Sequence, residues 1–198
     1  MIELKHSNIL SSVIGKNGLS APELKKYARK LRDARVNVLQ QAESGSLGFV
    51  GLPDGDETAQ ELISAAGKWR GKFENFIVLG IGGSALGNIA LQSALRHTHW
   101  NLLSNKERGG WLRLFVADNV DPAMISDLLD AVDLKKSVIN VVSKSGTTAE
   151  CLASYFIVKE KLERKVGAKN VAKHLVFTTD PSRGYLRDVA NKEGVQTF

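Results

Sequence analysis

Short apolar, β-branched runs alternate with helix-patterned segments along the second half of this chain, and that alternation leaves few architectures open. The runs are Phe76–Leu79, Leu112–Ala117, Ser137–Val142 and Lys173–Thr178. Apolar on successive residues and too short for helices, they read as strands buried on both faces. Helical segments follow each of them, ending near Arg96, Val132, Lys165 and Glu193. Val195–Phe198 has the look of a further strand beginning. Strand and helix in regular alternation imply parallel strands joined by right-handed crossovers. The expectation is an α/β fold, a doubly wound, mainly parallel sheet of about five strands flanked by helices.

Residues 1–74 carry a different pattern and are expected to form an N-terminal helical segment packing on that core. Ser20 is a helix cap, with Pro22 in the first turn and Glu23 completing a capping box. Leu24, Tyr27, Ala28, Leu31, Ala34, Val38 and Leu39 then recur at helical spacing to about Glu43, which predicts one apolar face. A second helix is expected from about Glu57 to Arg70, with Leu62, Ile63, Ala66 and Trp69 inward and Gly71 at its end. Residues 75–198 form the domain proper. Its last residues fall inside a strand pattern, so the domain is expected to continue beyond Phe198.

Hydrophobic content of 43% and charged content of 24% are those of an ordinary globular protein. The net charge of +6 is spread over amphipathic segments, without an arginine-rich run or a basic strand interleaved with aromatics. Nucleic acid is therefore not an expected partner. The single cysteine, Cys151, cannot form an internal disulfide and has no histidine near it in sequence. It reads as a small buried side chain. Met1–His6 lacks the basic-then-apolar order of a signal peptide, and no apolar run approaches membrane-spanning length. A cytoplasmic protein without membrane contact is expected.

Two strand-to-helix loops carry the functional signal. Ser143-Lys144-Ser145-Gly146-Thr147-Thr148 brings four hydroxyls, an ammonium and a glycine to the start of a helix. Free N–H groups and the positive end of the helix dipole make such a place an anion site, and a phosphate is its natural guest. Thr147 stands three residues before Glu150, the spacing of a second capping box. The other loop, Gly80–Gly87, lets backbone approach a ligand closely and adds the Ser84 hydroxyl. Gly80, Gly82 and Ala85 also fit a loose dinucleotide fingerprint. The acid required about 20 positions later is missing, since the first acid after the second strand is Asp118. Both loops leave the C-terminal ends of strands, where open α/β sheets bind ligands. Together they suit a sugar phosphate.

Ile81-Gly82-Gly83-Ser84-x-x-Gly87, followed by Ser143-Lys144-Ser145-Gly146-Thr147-Thr148-Ala149-Glu150, resembles the glucose-6-phosphate isomerase family, within the sugar isomerase (SIS) domain superfamily. The resemblance covers the chain from about residue 20 onward and implies a SIS-type sheet. It departs from the usual loop at three places: Ser145 for a Thr, Gly146 where a Phe is common, and Cys151 where a Thr is common. The resemblance implies that Gly82, Gly83 and Ser84 meet the sugar. It implies that Ser143, Lys144, Ser145, Thr147 and Thr148 hold the phosphate, and that Glu150 orders the loop. It further implies interconversion of glucose 6-phosphate and fructose 6-phosphate, in glycolysis and gluconeogenesis, without metal or organic cofactor, in a homodimeric parent protein. A non-catalytic phosphosugar-binding or regulatory module of the superfamily is the alternative.

Such chemistry moves a proton between C1 and C2, which needs a base, a ring-opening acid–base group and positive charge near the enediolate. The family's Glu, His, Lys and Gly-Gly-Arg segment have no counterpart in these 198 residues. His6, His97, His99 and His174 have no partner in view and read as surface or core histidines. Asp180 and Arg183 lie at the ligand edge in an ordinary turn. The chain by itself is expected to bind phosphosugar weakly and to turn nothing over.

Overall fold

A computed structural model describes Glu3 and residues 5–198. Met1–His6, expected to carry no signal pattern, lies partly outside the described residues. Two compact units divide the chain, one running to Ala59 and the other from Gln60 to Phe198.

In the first unit, a short helix α1 (Ser11–Ile14) precedes the long α2 (Ala21–Glu43). Ser20 caps α2 as expected. Its side chain accepts from the Glu23 N–H, and the Glu23 carboxylate accepts from the Ser20 N–H at 2.7 Å, a complete capping box. The Ser20 hydrogen bonds hold the Glu23 carboxyl below the usual range. The apolar positions of α2 remain largely open to solvent, with Tyr27, Leu31, Val38 and Leu39 all exposed.

Helix α3 (Asp56–Trp69) leads into the sheet. Its inward face matches the expectation only in part: Ala66 is half-buried as expected. Ala65 is buried and Trp69 half-buried, while Leu62 and Ile63 are exposed. Gly71 ends this segment in the left-handed region, donating to the Gly110 carbonyl.

The sheet has five parallel strands in the order β2-β1-β3-β4-β5: β1 (Asn75–Leu79), β2 (Arg113–Ala117), β3 (Ser137–Ser143), β4 (Leu175–Thr179) and β5 (Gln196–Thr197). The intervening helices are α4 (Gly83–Leu95), α5 (Pro122–Ala131), α6 (Ala149–Val166) and α7 (Tyr185–Glu193). The sequence therefore located all five strands, with boundaries within about two residues. Asp121 caps α5, accepting from the Met124 N–H at 2.9 Å, with Pro122 at the first position.

This order sets the position of the site. From β1 the chain moves one way to β2. It then crosses back over β1 and proceeds the other way through β3, β4 and β5. With right-handed crossovers, α4 falls on one face and α5, α6 and α7 on the other. On the second face Ile77, Leu79, Ile139, Val141, Leu175 and Phe177 pack with Tyr155 and Leu162 of α6 and Leu186 of α7, all essentially inaccessible. Val138 and Val176 point the other way, into a smaller cluster with Phe73 and Trp69. Between β1 and β3 the chain's direction of travel reverses, and open α/β sheets form their ligand crevice beyond the C-terminal strand ends at such a point.

Candidate functional site

Both loops singled out in the sequence emerge at that crevice. Gly80 follows β1, and Ser143 ends β3. The two strands are hydrogen-bonded neighbours, with Leu79 opposite Val141. Neighbouring strands lie about 4.8 Å apart, so the fold places the loops side by side.

Close packing shapes the first loop. A Cβ on Gly80 would come 3.0 Å from the Ser84 carbonyl oxygen, which is why the strand can turn so tightly into α4. Gly82 is the N-cap, with φ +56° and ψ −120°, a conformation open to glycine. Gly82 and Gly83 are exposed and present backbone outward, and Ser84 is half-buried in the first turn.

In the second loop the hydroxyls bond to one another. Ser143 is buried, and its Oγ lies 2.9 Å from Thr148 Oγ1. Ser145 Oγ accepts from the Thr147 hydroxyl at 3.0 Å and from the Thr147 N–H at 3.2 Å. Gly146 turns the loop at φ +67°, and its N–H donates to the Ser143 carbonyl. Lys144 and Thr147 are exposed.

The expected capping box at Thr147 and Glu150 does not form. The N-cap is Thr148, and its side chain is engaged with Ser143 and caps no backbone N–H. Glu150 is exposed in the first turn. A preformed hydroxyl pair has outcompeted local capping. As a result, the first-turn N–H groups of α6 have no side-chain cap among the described residues, and the positive end of an 18-residue helix faces the crevice.

Cys151 anchors this helix end. Its Sγ lies 3.3 Å from the Leu79 carbonyl and 3.2 Å from the Val142 carbonyl, spanning the two strand ends that define the crevice. Burial raises the thiol's pKa. The raised value favours the neutral thiol in the folded state, so this contribution to stability is present below the ordinary thiol pKa and is lost as pH rises through the raised one. In the native chain Cys151 is expected to react with a thiol reagent more than about a hundredfold slower than in denaturant, because reaction requires local opening. Native-state labelling as fast as in the unfolded chain would show that the helix end is not held in this way.

The β4–α7 loop, to which the sequence pattern assigned no binding role, packs directly against the Ser143–Thr148 loop. Gly184 has φ +100°, and a Cβ there would stand 2.3 Å from the Ser145 carbonyl oxygen. The Leu186 N–H donates to the Gly146 carbonyl at 3.3 Å. Thr179 pairs in register with Ser143, and its Oγ1 is buried without a hydrogen-bond partner among the described residues. The signal available in the sequence was positional: Thr179 ends a strand adjacent to β3, and a glycine precedes the helix that follows it.

The polar groups considered as catalysts are poorly placed. Asp180 accepts from the Ser182 N–H and hydroxyl, both at 2.9 Å, and from the Arg183 N–H. The Ser182 backbone bond, followed by that hydroxyl, holds the Asp180 carboxyl below its ordinary range, which makes it a weak base. His97 and His99 follow the end of α4, and His174 precedes β4 and bonds to the Ser137 carbonyl. These three therefore belong to the opposite edge of the sheet. Among the described residues no cluster of His, Cys, Asp and Glu is placed to hold a metal ion, and no helix is long and apolar enough to cross a membrane.

Strand order, reversal point and paired loops define an open α/β domain whose two candidate loops lie at the topological switch. Comparison with known proteins narrows the class. The family model for phosphoglucose isomerase matches residues 57–184. A glucose-6-phosphate isomerase of Carboxydothermus hydrogenoformans is 41% identical over 198 residues, covering all of this chain and 42% of that protein. One from Rubrobacter xylanophilus is 36% identical over 182 residues, 91% of this chain and 40% of that protein. Among solved structures, a hypothetical protein from Thermus thermophilus superposes with a TM-score of 0.72 at 36% identity, covering 88% of this chain and 39% of that one. A glucose-6-phosphate isomerase from Chlamydia trachomatis gives 0.58 at 28% identity, covering 72% and 25%. The chain belongs to the phosphoglucose isomerase family. It spans about two fifths of the length of the curated relatives it matches.

Proposed function

We propose that this chain is the sugar-phosphate-binding portion of an aldose–ketose isomerase that interconverts glucose 6-phosphate and fructose 6-phosphate. The observation that carries the reading is the uncapped N-terminus of α6, facing the crevice between β1 and β3 with hydroxyls arrayed before it. A phosphate there accepts the first-turn N–H groups and the hydroxyls of Ser143, Ser145, Thr147 and Thr148, with the Lys144 backbone and ammonium adding to the positive field. The Gly82–Gly83 backbone and Ser84, on the adjacent strand end, meet the sugar. Phosphate binding remote from the reacting carbons supplies orientation and binding energy for the chemistry. The proton-transferring groups are not among the residues gathered at this crevice, so the chain alone turns over no substrate. A cytoplasmic, homodimeric parent protein is part of the same proposal.

Calorimetric titration with fructose 6-phosphate tests it, with NAD as the contrasting ligand. Fructose 6-phosphate is expected to bind and NAD not to. Ser143→Ala and Thr148→Ala are each expected to weaken binding about tenfold or more, since a hydrogen bond to a charged group contributes about 1.5–3 kcal/mol. Binding of NAD in preference to the phosphosugar, or isomerase turnover by the isolated chain at the rate of a full-length relative, would overturn the reading.

A further inference from the structure

Thr179 is a buried polar residue at the end of β4 to which the proposed phosphate contacts give no role. It is nine-tenths buried, and its hydroxyl oxygen has no hydrogen-bond partner among the described residues. A buried hydroxyl without a partner is costly, and natural structures keep few of them without a reason. Its surroundings supply one. Thr179 ends β4 in register with Ser143, and its Oγ1 lies 3.0 Å from where a Cβ on Gly146 would stand. The hydroxyl therefore sits directly beneath the Ser145–Gly146 turn of the phosphate cradle. The turn is closed by the Gly146 N–H, which donates to the Ser143 carbonyl at 3.1 Å. On its other side the Gly146 carbonyl accepts from the Leu186 N–H at a long 3.3 Å.

We propose that Thr179 is a positioning residue of the phosphate site, whose hydroxyl donates to the Ser145–Gly146 turn when a phosphate monoester is seated on the other side of that turn. The inference rests on the reading of Ser143–Thr148 as the phosphate cradle. The acceptor is a carbonyl of that turn: Gly146 O takes one long bond from the Leu186 N–H and, with two lone pairs, can accept a second from Thr179. The Thr179 hydroxyl is the donor waiting there. The hydroxyl's unmet hydrogen bond thus becomes part of the difference between the free and loaded loop, and contributes to affinity without touching the ligand.

The test is Thr179→Val against Thr179→Ser, each titrated with inorganic phosphate and with fructose 6-phosphate, alongside a denaturant midpoint. Valine matches threonine in shape and removes the buried hydroxyl. A purely structural threonine therefore predicts an unchanged or higher midpoint and unchanged binding. The proposal predicts that same midpoint with phosphate affinity reduced about tenfold, and Thr179→Ser within about twofold of the parent. Equal phosphate affinity in parent and Thr179→Val overturns it, as does failure of the parent chain to bind phosphate, which also removes the cradle. If phosphate binds with the predicted dependence on the hydroxyl but fructose 6-phosphate is not preferred, the positioning role stands and the sugar-phosphate reading falls.

Discussion

Gly184→Ala is expected to abolish phosphosugar binding while leaving most of the domain folded. Gly184 adopts φ +100° and ψ 158°, a region essentially reserved for glycine. Holding an alanine there costs about 1–3 kcal/mol in backbone strain. The added Cβ would also stand 2.3 Å from the Ser145 carbonyl oxygen and 3.2 Å from its carbon. Those atoms are backbone, so no rotamer change relieves the contact. Either Ser145 moves or the start of α7 does, at a further cost of about 1–3 kcal/mol. Each movement disturbs the cradle: the first displaces the Ser145 hydroxyl that orders Thr147, and the second pulls the Leu186 N–H from the Gly146 carbonyl. Titration with inorganic phosphate should show affinity reduced by more than about tenfold. Gly194→Ala is the control. Gly194 also has positive φ, at +70°, but nothing lies within 4 Å of its Cβ position. It should lose stability without losing affinity. Phosphate binding by Gly184→Ala equal to that of the parent would show that the β4–α7 loop does not set the cradle.

The sheet was legible in the sequence because strands buried on both faces leave continuous apolar runs, and Phe76–Leu79 and Ser137–Val142 could hardly be anything else. The two glycine and hydroxyl loops were legible for a related reason. Gly80, Gly82 and Gly146 answer local backbone demands that no tertiary context can remove. Other features depended on partners distant in sequence. Thr148 gives up capping because Ser143, five residues earlier, offers its hydroxyl across the loop. Helical periodicity alone could not tell whether Leu62 or Ala65 faces inward on α3, since both sit on plausible stripes. Thr179 and Gly184 were unreadable as site residues, because their importance lies in atoms of Ser145 and Gly146, more than thirty residues earlier. The reading of α2 as one apolar face was correct as a pattern, yet a pattern carries no information on what covers it.

The largest loss of stability is expected from Phe177→Ala. Phe177 is fully buried at the middle of β4, edge-on to Tyr155 of α6 with ring centroids 5.5 Å apart. Truncating a buried phenylalanine costs about 3–5 kcal/mol, because the transfer energy is lost and a cavity remains. Domains of this kind are stable by only about 5–15 kcal/mol in total, so the guanidinium midpoint should fall by a large fraction. Tyr155→Phe separates packing from polarity at the same contact. The Tyr155 hydroxyl is buried without a hydrogen-bond partner among the described residues, so its removal should be neutral or stabilising. The two variants are therefore expected to move the midpoint in different directions, although they alter facing rings. The Phe177 cavity also opens beneath α6, one turn from Cys151, which holds the helix end between β1 and β3. A helix loosened there presents its first-turn N–H groups less uniformly, so phosphate affinity should fall together with stability in Phe177→Ala. Affinity unchanged against a lowered midpoint would mean that the α6 terminus is held by the strand ends alone.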